Sequence, residues 1–301
     1  MIVTTCLAEA RQVPLQLSRY SHAKNIYLRC RTSHACDRAG PYFHGLPLLY
    51  LLRYSFNDFV PGEFMVQGFT LANFATFFTD TYYLKGMGTT LLMAGSVTAI
   101  CVILSLPLAN WISKQSGTLK TILLMAIILP LFISNAFRAA GWMVAFGQTD
   151  VLNFLLMKIG IISSPLTIMQ TPTAVFIGIT AVNLPYVVLT LQSVFEGLDE
   201  NIDYAAASLG ASLLQSFMLV RMPKIMPGLL AASVLSFILT MNAYATPVLL
   251  GGPSFHMMAP MIVTEILNKA NWPLGAALAF VLLTVTVTIS VFAGIFIRRR
   301  Y

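Results

Sequence analysis

Few side chains able to do chemistry lie inside the apolar runs of this chain, and almost none of them ionises. Asn183 and Asn242 fall within long apolar stretches, with Tyr186 and Tyr244 close by and Trp142 in an earlier one. An asparagine is costly against lipid, so it faces another helix or a cavity. Aromatic faces of this kind hold a cationic amine by cation–π contact. Plainer uses exist for both: an asparagine bonds a neighbouring helix, and aromatics near span ends form interfacial belts. Both readings stay open at this point. Arg138 also falls in an apolar stretch, where it snorkels or pairs with a charge in a complex. Between Gly88 and Ile297 the acids are Asp150, Glu196, Asp199, Glu200, Asp203 and Glu265. All are expected in loops or at the ends of apolar runs, so a carboxylate proton relay is not expected. No Gly-x-x-x-x-Gly-Lys-Ser/Thr phosphate loop occurs, so the chain is not expected to bind ATP itself. Cys30 and Cys36, with His34 between them, lack zinc spacing and read as free thiols; no metal site is expected.

These residues need a membrane to position them. The 301 residues are 57% hydrophobic and 10% charged, and the mean hydropathy is +0.78. A soluble domain carries about 25% charged residues. Repeated long apolar runs point to an all-α, polytopic bundle rather than a barrel. The net charge of +7 reflects basic loops that orient helices, not nucleic-acid binding. Expected spans are 45–56, 88–111, 121–146, 173–195, 228–250 and 274–297, five or six in all because the first is marginal. Its twelve residues cover about 18 Å against a hydrocarbon core of about 30 Å, and Arg53 sits inside it. A short interfacial helix is expected near Leu71–Phe78. Residues 1–44 form an atypical, weakly ordered tail ahead of a membrane domain over 45–301. A shifted reading frame or wrong start would account for the tail.

Lysine and arginine decide the orientation. A cytoplasmic Arg298-Arg299-Arg300 puts the tail, the Ser113–Lys120 loop and the loop 197–227 on one side with six spans. That side then holds thirteen of the eighteen basic residues. If the first run does not span, a five-helix core keeps the orientation with the tail outside.

The loop 197–227 carries its own pattern. Its stretch from Asp203 to Pro227 favours helix at first, breaks at Gly210 and meets Pro223 and Pro227. Tyr204, Ala205 and Ala206 are followed after three residues by Gly210, and after nine more by Val220, Arg221, Met222 and Pro223. This spacing resembles the Glu-Ala-Ala loop of the inner-membrane permease subunits of ABC importers. Tyr204 stands where glutamate is usual and Met222 where leucine is usual. Asp203, one position earlier, is the candidate replacement for the missing charge. The runs TLANFATFF, FRAAGWM, LNFLL, TPVLLGG and NWPLGAALAFVLL are similar to the first subunit type of the spermidine/putrescine branch. The likeness covers about Pro47 to Tyr301.

The resemblance implies a type I importer permease fold that is not an enzyme. It implies that the loop folds as helix, turn and helix, and docks in a cleft of a cytoplasmic ABC ATPase dimer. Phe217 would anchor that contact, and Pro223 with Pro227 would end the element. ATP and magnesium would sit on the ATPase, with no cofactor on this chain. Other implied partners are a second permease subunit, an external solute-binding protein and membrane lipid. The implied place is a bacterial inner membrane, with the C-terminus cytoplasmic. The implied cargo is a polyamine, or a related amine-bearing solute such as an opine. Two other readings remain: an ATPase-independent secondary transporter, and a degenerate, non-transporting copy.

Overall fold

The computed structural model describes residues 47–60, 62–147, 153, 157–160, 164, 167–199, 201, 206 and 208–300. The tail 1–44 lies outside them. The chain divides into two units, Met1–Leu51 and Leu52–Tyr301. Of the first unit only residues 47–51 are described, and they are helical.

Residues 52–55, which open the second unit, are helical, and the expected span 45–56 begins outside the described residues. Arg53 is exposed, and its Nη1 donates to Asn57 Oδ1 (2.6 Å) and the Gly68 carbonyl (3.2 Å). Its place in an apolar run is thus explained by the loop it holds. A small antiparallel hairpin follows, β1 (Asp58–Val60) and β2 (Glu63–Val66), turned at Gly62. It is the one departure from an all-α fold among the described residues. The interfacial helix is present as α1 (Ala72–Thr79).

The bundle proper begins with α2 (Thr81–Ser113). It starts seven residues ahead of the expected span because Asp80 caps it, accepting the Tyr82 N–H at 2.8 Å. Next comes α3 (Gly117–Ile128), which tightens into a 3-10 turn at Leu129–Phe132. The chain then turns extended at Ile133 and restarts as α4 (Asn135–Phe146). The two halves meet at 98°. The expected span 121–146 is therefore a broken one, and Pro130 in the 3-10 turn explains the break: it has no N–H to give. The helix α5 (Pro172–Glu196) is capped by Thr171, with Pro172 in its first turn.

A single turn at Leu213–Gln215 leads into α6 (Ser216–Met241). Its first six residues, Ser216–Arg221, are π-helical. The expected span 228–250 thus starts earlier and ends at Met241. After a break at 242–244, a short α7 (Ala245–Leu250) follows. Between the expected spans 228–250 and 274–297, where no helix is expected, lies α8 (Met258–Asn268). The last helix, α9, runs from Trp272 to Arg300. Among the described residues, four helices are long and apolar enough to cross a membrane, and the bent pair makes up to five.

The core sits where α2, α5 and α6 meet, around Val97, Cys101, Ile179, Val187, Leu191 and Ala232. Gly228 lets α6 close on α5: a Cβ there would overlap the Val194 isopropyl group. A second cluster joins α2, α8 and α9 through Met87, Met258, Met261 and Leu278. Glu265 was expected in a loop or at a span end, but it is only 2% exposed within α8. Tyr83 Oη donates to it (2.9 Å), and Lys269 pairs with it (2.7 Å). Those two donors are what makes its burial tolerable.

Candidate functional site

Two places bring the singled-out residues together. The first is a cavity of about 440 Å³ between the start of α4, the middle of α5, the end of α6 and the turn into α7. Four of the six expected path residues line it: Asn183, Tyr186, Asn242 and Tyr244. The other two do not. Trp142 stacks on Phe146, with centroids 5.0 Å apart and planes 27° from parallel. Arg138 donates to Asn135 Oδ1 through Nη2, and its Nε and Nη1 are buried with no acceptor among the described residues.

Asn183 meets both readings left open for it. Its Nδ2 donates to Thr240 Oγ1 (2.8 Å) and to the Ser236 carbonyl (3.3 Å), which ties α5 to α6. It also lines the cavity. Asn242 lies just past the end of α6, where its Nδ2 donates to the Ile238 carbonyl at 2.9 Å. Tyr244 is 45% exposed. No lining side chain carries a formal charge.

Ser134, Asn135 and Thr246 also line the cavity, and sequence reasoning did not single them out. Neither did it find Thr240. A hydroxyl on a helix commonly satisfies itself on the backbone one turn back, so its type and position alone do not separate a wall from a binding surface.

The second place is the loop after α5. Asp203, Tyr204 and Ala205 lie outside the described residues. Ala206 is buried, and its carbonyl accepts from the Ala211 N–H at 3.1 Å across Gly210. Gly210 has φ +81°, the left-handed conformation that closes a helix. Ser212 then opens the next helix. Its Oγ accepts from the Gln215 N–H (3.3 Å), and Gln215 Oε1 accepts from the Ser212 N–H (2.9 Å). This reciprocal pair is a capping box, readable in the sequence as Ser-Leu-Leu-Gln. Helix, turn and helix are therefore set by local chemistry.

Two expectations for this loop are corrected. Pro223 and Pro227 do not end the element, since the helix runs through both to Met241. Pro223 lies in the first turn of the α-helical stretch, where the preceding π turn changes the bonding register and no N–H is required of it. Phe217 is half-buried against the main core, as is Met222, so neither is a free anchor. Val220 is also half-buried. Among the described residues of this stretch, the exposed apolar side chains are Leu209 (89%), Leu214 (68%), Met218 (53%) and Leu219 (74%). At the same end of the bundle, Lys120 pairs with Glu196, and Arg221 Nη1 donates to Asn110 Oδ1 at 2.8 Å. These contacts join the starts and ends of α2, α3, α5 and α6.

Comparison with known proteins bears on both places. Residues 102–300 match the family described as the binding-protein-dependent transport system inner membrane component. A spermidine/putrescine transport system permease protein, PotB, of Haemophilus influenzae is 32% identical over 251 residues, covering 83% of this chain and 87% of the relative. The protein of the same description from Escherichia coli is 33% identical over 237 residues, covering 79% and 86%. The fold is that of a chain in a bacterial ABC transporter involved in the import of alginate. The TM-score is 0.75 at 17% identity, covering 93% of this chain and 98% of the other. The bundle, the loop built at its end and the family match over most of its helices lead to one conclusion. This chain belongs to the family of binding-protein-dependent transport system inner membrane components, the multi-pass permeases of ABC importers.

Proposed function

We propose that this chain is one of two different permease subunits of an ATP-driven importer, and that its cargo is a polyamine or a related amine-bearing solute such as an opine. The observation that carries the reading is the 32% identity with a spermidine/putrescine permease over most of both chains. The cavity supports it, because it offers tyrosine faces and amide groups and no formal charge.

In this reading a solute-binding protein delivers the amine on the outer side. A cytoplasmic ATPase dimer binds ATP and magnesium and carries out hydrolysis. The loop after α5 docks on that dimer through Leu209 and Leu214, and Asp203 supplies the charge missing at Tyr204. Closure of the dimer moves the loop, and Arg221 with Glu196 passes the motion to the ends of α2 and α3. The cavity then opens to the other face. In the same reading the basic end of α9 lies in the cytoplasm, the side that the bias of Lys and Arg favours.

The test is uptake in proteoliposomes holding this chain, the second permease subunit and the ATPase, supplied with the binding protein. Labelled spermidine or putrescine should enter only with ATP and the binding protein present. Uptake by this chain alone would overturn the reading in favour of an ATPase-independent carrier. Lack of uptake by an assembled, ATP-hydrolysing complex would overturn it in favour of an inactive copy.

A further inference from the structure

The hydrogen bonds around Asn183 favour one orientation of its amide, and that orientation decides what it offers the cavity. Two groups face its inner side. The Ser236 carbonyl is an acceptor with no proton to give. The Thr240 hydroxyl has one proton, and it goes to the same Ser236 carbonyl at 2.9 Å. Thr240 Oγ1 therefore meets Asn183 as an acceptor too. An amide turned the other way would set its oxygen against the Ser236 carbonyl at 3.3 Å, and Thr240 could donate to it at 2.8 Å only by giving up its own bond to that carbonyl, so the turned state is the costlier one. The NH2 is spent on α6, and Oδ1 is the group left to the cavity. Asn183 is 2% exposed and near the middle of α5, so its rotamer is held by packing.

The neighbours do not reverse this preference. The start of α4 brings the positive end of a helix to the cavity wall, and the end of α6 brings a negative one. The two oppose each other. The faces of Tyr186 and Tyr244 favour a cation. The absence of a carboxylate in the wall keeps the hold weak, as a pathway needs if its cargo is to leave.

We infer that Asn183 is a specificity-determining residue whose fixed carbonyl oxygen accepts from an alkylammonium group in the cavity, and that Thr240 is the positioning residue that sets its orientation. The inference rests on the cargo proposed above. It predicts discrimination between amines, which a residue that merely holds two helices together would not alter. The test uses the complete reconstituted importer and reads the ratio of spermidine to putrescine uptake from an equimolar mixture. In Asn183→Asp the Thr240 hydroxyl can turn to donate to the inner carboxylate oxygen while the outer one brings charge to the cavity, which should raise the ratio about five-fold, the worth of roughly 1 kcal/mol of added attraction for the more highly charged amine. Asn183→Leu removes the acceptor and should lower the ratio. Thr240→Val keeps the shape but frees the amide to turn, and should also lower it. Because a ratio is read, poor assembly of one variant does not mimic the effect. An unchanged ratio in Asn183→Asp and Thr240→Val would overturn the inference and leave the cargo assignment standing. A wild-type importer that carries neither amine would overturn both.

Discussion

A single backbone angle shapes the loop after α5. Gly210 sits at φ +81°, and a Cβ placed there would meet nothing within 4 Å. The cost of replacing it is therefore conformational and not steric. Gly210→Ala should destabilise the turn by about 1 kcal/mol, and Gly210→Asn by less, because asparagine tolerates the left-handed region. Amide hydrogen exchange checks this: it should speed up around Ala211 and stay unchanged in the middle of α5. Gly210 was legible in the sequence because glycine is the residue type that takes that angle most readily. Phe217 was not, because an aromatic in an amphipathic stretch does not reveal which face is covered. Asn183 was half legible: its placement against a helix and a cavity was expected, but its orientation depends on Thr240, a hydroxyl that the sequence does not mark.

Helix packing shows the same division. The long apolar runs set α2, α5 and α9, and the interfacial α1 fell where its aromatics were noted. Errors came where a helix changes character. Pro223 and Pro227 were expected to end the element, but Pro223 falls where the π turn needs no N–H from it, and Pro227 lies inside the helix. The helix α8 was missed because eleven residues interrupted by a π turn give no long apolar signal. One close helix contact is at Gly228, and the sequence gives no sign of what it faces. Gly228→Leu should force α6 away from Val194 and cost about 1–3 kcal/mol by overpacking. A thermal melt in detergent should show the loss, and Val194→Ala in the same chain should recover part of it, since the two sites are in contact.

For the whole molecule, orientation is the property that charge alone predicts. A reporter active only in the cytoplasm should work when fused after Tyr301 and fail when inserted at Ser254, between α7 and α8. The opposite pattern would reverse the topology and place the loop after α5 on the wrong side for an ATPase. The 98° bend between α3 and α4 adds a thermodynamic consequence. At the bend the chain leaves the helix, Phe132 is 85% exposed, and no side chain caps the first turn of α4. Irregular backbone at membrane depth is tolerated against protein or water and not against lipid. The free energy of this chain in a bilayer is thus linked by mass action to whatever covers the bend. Its half-life in the cell should rise with the abundance of a partner subunit, as for any folded state that a ligand selects.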